Sequence, residues 1–328
     1  MLQGNRGPFE NIGLDEGITD VLTASLRKST QRQYQVYWTK WTKFCGRRKK
    51  SPLRSSVNFV LEFLAELFHQ EKASYSTLNA ARSALSLYVT LENSVHSVGT
   101  QPLICRFLKG TFNLRPPQAR YQDTWDVGIA LKFLRRLSSA KTLSLKQLTH
   151  KLCLLLALVS AQRVQTLHLL NLDKMELKQS SVSFHVDELL KHSRPGHHGF
   201  TMKLKAYPPD RRVCIVNYLR AYVKRTESIR GPERRLFISY TKPYGKVSSQ
   251  TISRWIKVTL AGAGIDTSVY KSHSTRSAAT SAAIRASVPI SSIMNQAGWS
   301  RERTFQQFYN KPLADNGETE FSQAILQQ

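Results

Sequence analysis

The stretch HSTRSAATSAAIRASVPISSIMNQAGWSRERTFQQFY, residues 273–309, holds an imidazole, a guanidinium, an indole and a phenol at fixed intervals. His273 and Arg276 stand three apart on the first turn of a helix expected over Thr275–Ala286. Residues at that spacing share a helix face, and a helix N-terminus favours an anion. The small residues from Ser277 to Ala283 allow that helix to pack closely. A second helix is expected over Ile290–Ala297 and ends at Gly298. Trp299 follows, and a third helix over Glu302–Tyr309 closes on Tyr309.

Upstream, a continuous apolar helix is expected over Leu145–Ser160, and Arg163 follows it in Ser160-Ala-Gln-Arg-Val. An arginine among apolar neighbours must find an anion or carry a heavy desolvation cost. Each residue alone has a plain explanation. His273 and Arg276 could cap a helix and meet an acidic side chain. Trp299 could be core, and Tyr309 is one of 12 tyrosines. Taken jointly, Arg163, the HxxR pair, the indole and the final tyrosine are hard to obtain by chance.

Outward from these motifs, residues 1–18 have no periodicity and read as a flexible leader. Residues 19–112 read as a small all-helical bundle. Val21, Leu22 and Leu26 precede an aromatic stripe (Tyr34, Tyr37, Trp38, Trp41, Phe44) at helical spacing. A break at the basic run Arg47-Arg48-Lys49-Lys50 follows. Further helices carry Val57 to Phe68, Leu78 to Tyr88 (capped by Ser74 or Ser76) and Leu103 to Leu108. Residues 113–124, with Pro116 and Pro117, read as a semi-rigid linker. The second domain, 125–328, opens with helices at about 126–138 and 145–160. Strands are expected at Ser181–Val186 and Phe200–Leu204 across a Gly196/Gly199 turn, then helices at about 213–226 and 249–261. The fold class is mainly α with a small β-sheet.

Composition narrows the partners. Of 328 residues, 48 are lysine or arginine and 22 acidic, a net charge of +26. Such an excess seeks a polyanion, and nucleic acid is the usual one because bound cations release its counterions. The basic run Arg47–Lys50 is either a solvated loop or a phosphate contact. The four cysteines show neither CxxC nor zinc-finger spacing and read as reduced thiols of an intracellular protein. The longest apolar run, Leu152–Val159, is far short of the roughly 20 residues that span a bilayer. No carboxylate cluster of the two-metal type and no phosphate-binding Walker loop accompanies the motifs, so no cofactor is expected.

The constellation resembles the catalytic set of the tyrosine recombinases, the integrase family that includes lambda integrase and Cre. The resemblance runs through the whole chain. Arg115-Pro-Pro, Thr124-Trp-Asp-Val, Gln162-Arg-Val-Gln-Thr-Leu, Lys191-His-Ser-Arg-Pro-Gly, Ser253-Arg-Trp-Ile-Lys and Ala297-Gly-Trp look most similar to recombinases of eukaryotic DIRS- and Ngaro-like elements, with Cryptons more distant. It implies an N-terminal helical, SAM-like core-binding domain and an α+β catalytic domain. Arg163 and Arg276 would be the catalytic arginines, His273 the histidine between them, Trp299 the residue at a His-or-Trp position and Tyr309 the nucleophile. Lys191 would be the hairpin lysine, with Lys203 as fallback. Where the family often has an acid three residues after its first arginine, this chain has Thr166. Arg47, Arg48, Lys49, Lys50, Arg115, Arg120, Arg194 and Arg254 would contact DNA.

These residue types suit transfer of a phosphodiester to a phenol. Guanidiniums clamp the non-bridging oxygens, where charge builds in the transition state. A phenol with its usual pKa of about 10 needs a base or nearby cations to attack at neutral pH, and a lysine can protonate the leaving 5′ oxygen. The resemblance implies a DNA-bound homotetramer in the nucleus, serving integration of a mobile element, with no membrane or small-molecule partner. A DNA-binding protein that has lost the reaction and a type IB topoisomerase are the alternatives.

Overall fold

The computed structural model describes residues 15–118, 121–191, 193, 196 and 199–314. The chain parts into two compact units, residues 1–119 and 120–328.

The first unit holds five helices among its described residues: α1 Glu16–Ala24, α2 Lys28–Arg47, α3 Val57–His69, α4 Tyr75–Tyr88 and α5 Pro102–Leu114. Their starts are written in the sequence. Asp15, Ser56, Ser74 and Gln101 each accept a backbone N–H of the following first turn, which satisfies donors a helix otherwise leaves free. The aromatic stripe of α2 is core: Trp41 and Phe44 are buried and stack at 5.7 Å, with Phe63 of α3 edge-on to Trp41 at 5.2 Å. Burying one such side chain contributes about 1.5–3 kcal/mol.

Three details depart from the sequence reading. Residues 16–18, read as leader, are the first turn of α1. Helix α5 runs on to Leu114, into the segment read as linker. The bundle is also not purely helical, because β1 (Arg54–Ser55) pairs in parallel with β2 (Thr90–Leu91). A two-residue strand has no period to detect.

The second unit is built around α7, Leu145–Ser160, which a Ser144/Gln147 capping box starts. Nearly every face of α7 is buried, because α9 (Ile215–Thr226), α10 (Ser249–Gly262) and α11 (Ser274–Arg285) all pack on it. Helix α6, Val127–Arg136, precedes it. On one side lies an antiparallel sheet in the order β3 (Met175–Leu177), β4 (Ser181–Val186), β5 (Phe200–Lys205). Its register sets Phe184 opposite Met202 and Val182 opposite Leu204, so these four side chains face the core. Helix α8, Val164–Leu169, and β3 were not anticipated; both are too short to show a periodicity. Helices α12 (Ile290–Ala297) and α13 (Glu302–Phe308) complete the unit. Among the described residues no helix is long and apolar enough to cross a membrane.

Candidate active site

Helix α7 ends on Ala161 in the left-handed conformation, φ 50°, and the chain turns sharply so that Arg163 becomes the N-cap of α8. Gln162 is anchored by its amide to the carbonyl of Gln296 at the end of α12. That contact brings the Arg163 turn beside the chain leading to Trp299. His273 is the N-cap of α11 and Arg276 lies one turn in, its N–H bonded to the His273 carbonyl. Trp125 donates its indole N–H to Ser274 Oγ at 2.9 Å, fixing the start of the same helix.

Arg163, His273 and Tyr309 line one open cleft of about 510 Å³, together with Lys191, Gln165, Gln250 and Ser253. His273 Nε2 lies 3.2 Å from Tyr309 Oη. Behind them Arg276 is fully buried. Its Nη2 donates to the carbonyl of Ala297 at 2.7 Å, while Nε and Nη1 have no partner. Its guanidinium lies 4.1 Å from the ring centre of Trp299 and 5.3 Å from that of Tyr309. The Trp299 N–H is buried and also unpartnered. Unpaired buried donors are costly in themselves. The two side chains that carry these three donors pack on each other and on Tyr309.

The electrostatics follow from that crowding. Burial, then the charges of Arg276, Arg163 and Lys191, hold His273 down to about 4, although its edge is open to the cleft. Its imidazole is therefore neutral at pH 7 and free to accept a proton. Burial and the charge of Arg163 pull Arg276 down to about 9, with Tyr309 opposing them. It stays cationic at neutral pH.

The cleft thus gathers Arg163, Lys191, His273 and Tyr309, with Arg276 and Trp299 packed against the Tyr309 ring. Lys203 is not among the residues lining it; on β5 it lies opposite Ser183 and close to Glu176. The Arg163 carbonyl accepts the Leu167 N–H, its guanidinium lines the cleft, and Thr166 beside it is buried.

The expected DNA contacts divide. Arg47 and Arg48 pair with Glu66 of α3, and the Arg48 guanidinium covers the Phe44 ring at 3.8 Å. Arg115 lies 4.3 Å from the Phe68 ring centre and donates to the carbonyl of Ala73. These three side chains make contacts within the first unit. Lys49, Lys50 and Arg254 are exposed. Arg120 and Arg194 lie outside the described residues. Among the described residues no group of three or more His, Cys, Asp or Glu side chains could hold a metal ion.

Sequence reasoning missed Trp125, Ser281 and Lys311. Ser281 Oγ donates to the Tyr309 carbonyl at 2.8 Å and accepts the Lys311 N–H at 2.9 Å. Lys311 Nζ donates to the Tyr121 carbonyl at 2.6 Å. Nothing in a run such as SAATSAA marks one serine for this task.

Residues 132–315 match the sequence model of the phage integrase family. No curated protein matches the chain. Among solved structures it is similar to the XerH site-specific recombinase bound to palindromic difH substrate in a post-cleavage complex (TM-score 0.64, 13% identity, 95% of this chain and 84% of that one). It is also similar to a lambda integrase dimer bound to a COC′ core site (0.53, 13%, 92% and 77%). A third is the Tn1549 transposon integrase in complex with transposon right end DNA (0.51, 11%, 83% and 84%). At these identities the likeness is one of fold.

Proposed function

We propose, from the premise that this chain belongs to the phage integrase family of tyrosine recombinases, that it cleaves and rejoins DNA through a covalent 3′-phosphotyrosine bond at Tyr309. The observation that carries the reading is the 3.2 Å approach of His273 Nε2 to Tyr309 Oη beside a buried arginine with two free donors.

The scissile phosphate sits in the cleft. Arg163 and the free Nε and Nη1 of Arg276 donate to its non-bridging oxygens, and the Trp299 N–H adds a further donor. These contacts strengthen as charge builds there in the transition state. Tyr309 Oη attacks phosphorus, the P–O5′ bond breaks, and His273 Nε2 takes the phenolic proton. That role needs the tautomer with its proton on Nδ1. Lys191 supplies a proton to the leaving 5′ oxygen. Rejoining is the reverse: a 5′ hydroxyl attacks the phosphotyrosine and Tyr309 leaves. One phosphodiester replaces another, so the bond energy is kept and no nucleotide is spent.

The further extension is to an integrase of a mobile element, acting in the nucleus as a tetramer on duplex DNA, with the helical unit adding contacts outside the cleft. Its support is the resemblance of the motifs to DIRS-, Ngaro- and Crypton-type recombinases and the +26 charge.

Incubation with a nicked suicide duplex carrying the element's termini is expected to give a covalent adduct on a denaturing gel, lost in Tyr309→Phe. No adduct from the wild type would favour a binding protein without the reaction. An adduct persisting in Tyr309→Phe would mean another nucleophile. Relaxation of plasmids lacking any element sequence would favour a topoisomerase.

A further inference from the structure

Tyr309 is weakly held by its own helix. Helix α13 has seven residues, Phe305 is its one buried side chain, and Tyr309 is already its C-cap. The Tyr309 and Asn310 N–H groups still bond the Phe305 carbonyl, and the next hold on the backbone comes from α11. The Ser281 hydroxyl, buried in that helix, donates to the Tyr309 carbonyl and accepts the Lys311 N–H. It thereby pins the chain on both sides of Asn310 with both of its hydrogen-bonding functions. Ser281 lies five residues after Arg276 on one rigid helix. The nucleophile's backbone and the anion-binding guanidinium are therefore referenced to the same element.

The pin is extended by the chain that follows. Lys311 Nζ reaches the Tyr121 carbonyl. The Thr124 N–H donates to Pro312 and the Ala314 N–H to Thr124.

We infer that Ser281 is a positioning residue for the strand-cleavage step, holding Tyr309 Oη in line with the phosphorus that Arg276 presents. The inference rests on the reading of Tyr309 as nucleophile. A reacting atom displaced by about 1 Å can lower a rate on the order of a hundredfold. DNA affinity, set by phosphate contacts elsewhere, need not change.

The test is single-turnover adduct formation by the full chain on the suicide duplex, with DNA affinity and melting temperature measured alongside. Ser281→Ala is expected to slow the adduct on the order of ten- to a hundredfold, with affinity and melting near those of the wild type. Ser281→Thr, which keeps the hydroxyl, should recover most of the rate. A duplex with sulfur in place of the bridging 5′ oxygen separates attack from departure, since a thiolate leaves without a proton. On it Lys191→Ala should approach the wild-type rate and Ser281→Ala should stay slow. Ser281→Ala cleaving as fast as wild type would overturn the inference, as would rescue of Ser281→Ala by the sulfur substrate. Rate lost only in step with melting temperature would also overturn it, reducing Ser281 to a structural contact. Absence of any adduct from the wild type would instead strike the proposed function.

Discussion

The Arg276 guanidinium lies 4.1 Å from the centre of the Trp299 ring, and of its three nitrogens only Nη2 has a hydrogen-bond partner. A buried cation in this state is poorly compensated. The indole face gives it some cation–π attraction, and the Ala297 carbonyl gives it one bond. In the proposed reaction the remainder of its hydrogen-bonding capacity meets the scissile phosphate.

This arrangement sets stability against activity at one residue. Arg276→Met keeps the volume and removes the uncompensated charge. The fold should be as stable as the wild type, or more stable by up to about 2 kcal/mol, since apolar replacement of buried ions is often favourable. Adduct formation should fall at least about a hundredfold. Calorimetry and the suicide-substrate assay measure the two sides. A destabilisation beyond about 2 kcal/mol would show that the fold depends on this guanidinium.

The pH dependence of His273 follows from its depressed pKa. In the unfolded chain it titrates near the ordinary 6.5 of histidine, and in the folded protein at about 4. Between those values the unfolded state binds the extra proton. The contribution of His273 to stability is therefore present above pH 6.5 and is lost as pH falls toward 4. His273→Asn should flatten this part of the melting-temperature profile relative to wild type. The acid limb of kcat/KM, which reports the free enzyme, should fall near pH 4. An acid limb at 6.5 would mean that the imidazole is solvated and unperturbed.

The basic residues of the first unit should separate by salt. Lys49→Ala with Lys50→Ala is expected to lower the slope of log affinity against log salt by about 1–2, one released counterion per lost phosphate contact. Arg115→Ala should leave the slope unchanged and destabilise the first unit by about 1 kcal/mol, through its lost ring and carbonyl contacts. Filter binding over a salt series and denaturant unfolding distinguish them. An unchanged slope in the lysine variant would remove this run from the DNA interface.

How much of this could be read in the sequence depended on whether the signal was local. Helix α7 was legible because its run Leu152–Val159 is continuously apolar, and β4 because Ser181–Val186 alternates. The three-residue β3 had no such mark. Intervals between Arg163, His273, Trp299 and Tyr309 brought out residues that the fold does gather in one place. The basic run beside Phe44 was ambiguous because Glu62 and Glu66, which engage its first two members, come from another helix. Ser281 was invisible for a related reason: its partners are the backbone of Tyr309 and Lys311, and backbone groups carry no side-chain identity.

The bridge between Thr124 and Leu313 has a topological result. Where the polypeptide enters the second unit and where its described part ends are neighbours in space. The described part of the unit is thus nearly a closed ring of chain, its seam beside the segment that follows Tyr309. A short tether joining residue 314 to residue 121, with new termini opened in an exposed loop elsewhere, would keep every contact named in the cleft. Conversely, a bulky fusion introduced at either end of the seam would press on the backbone next to Tyr309.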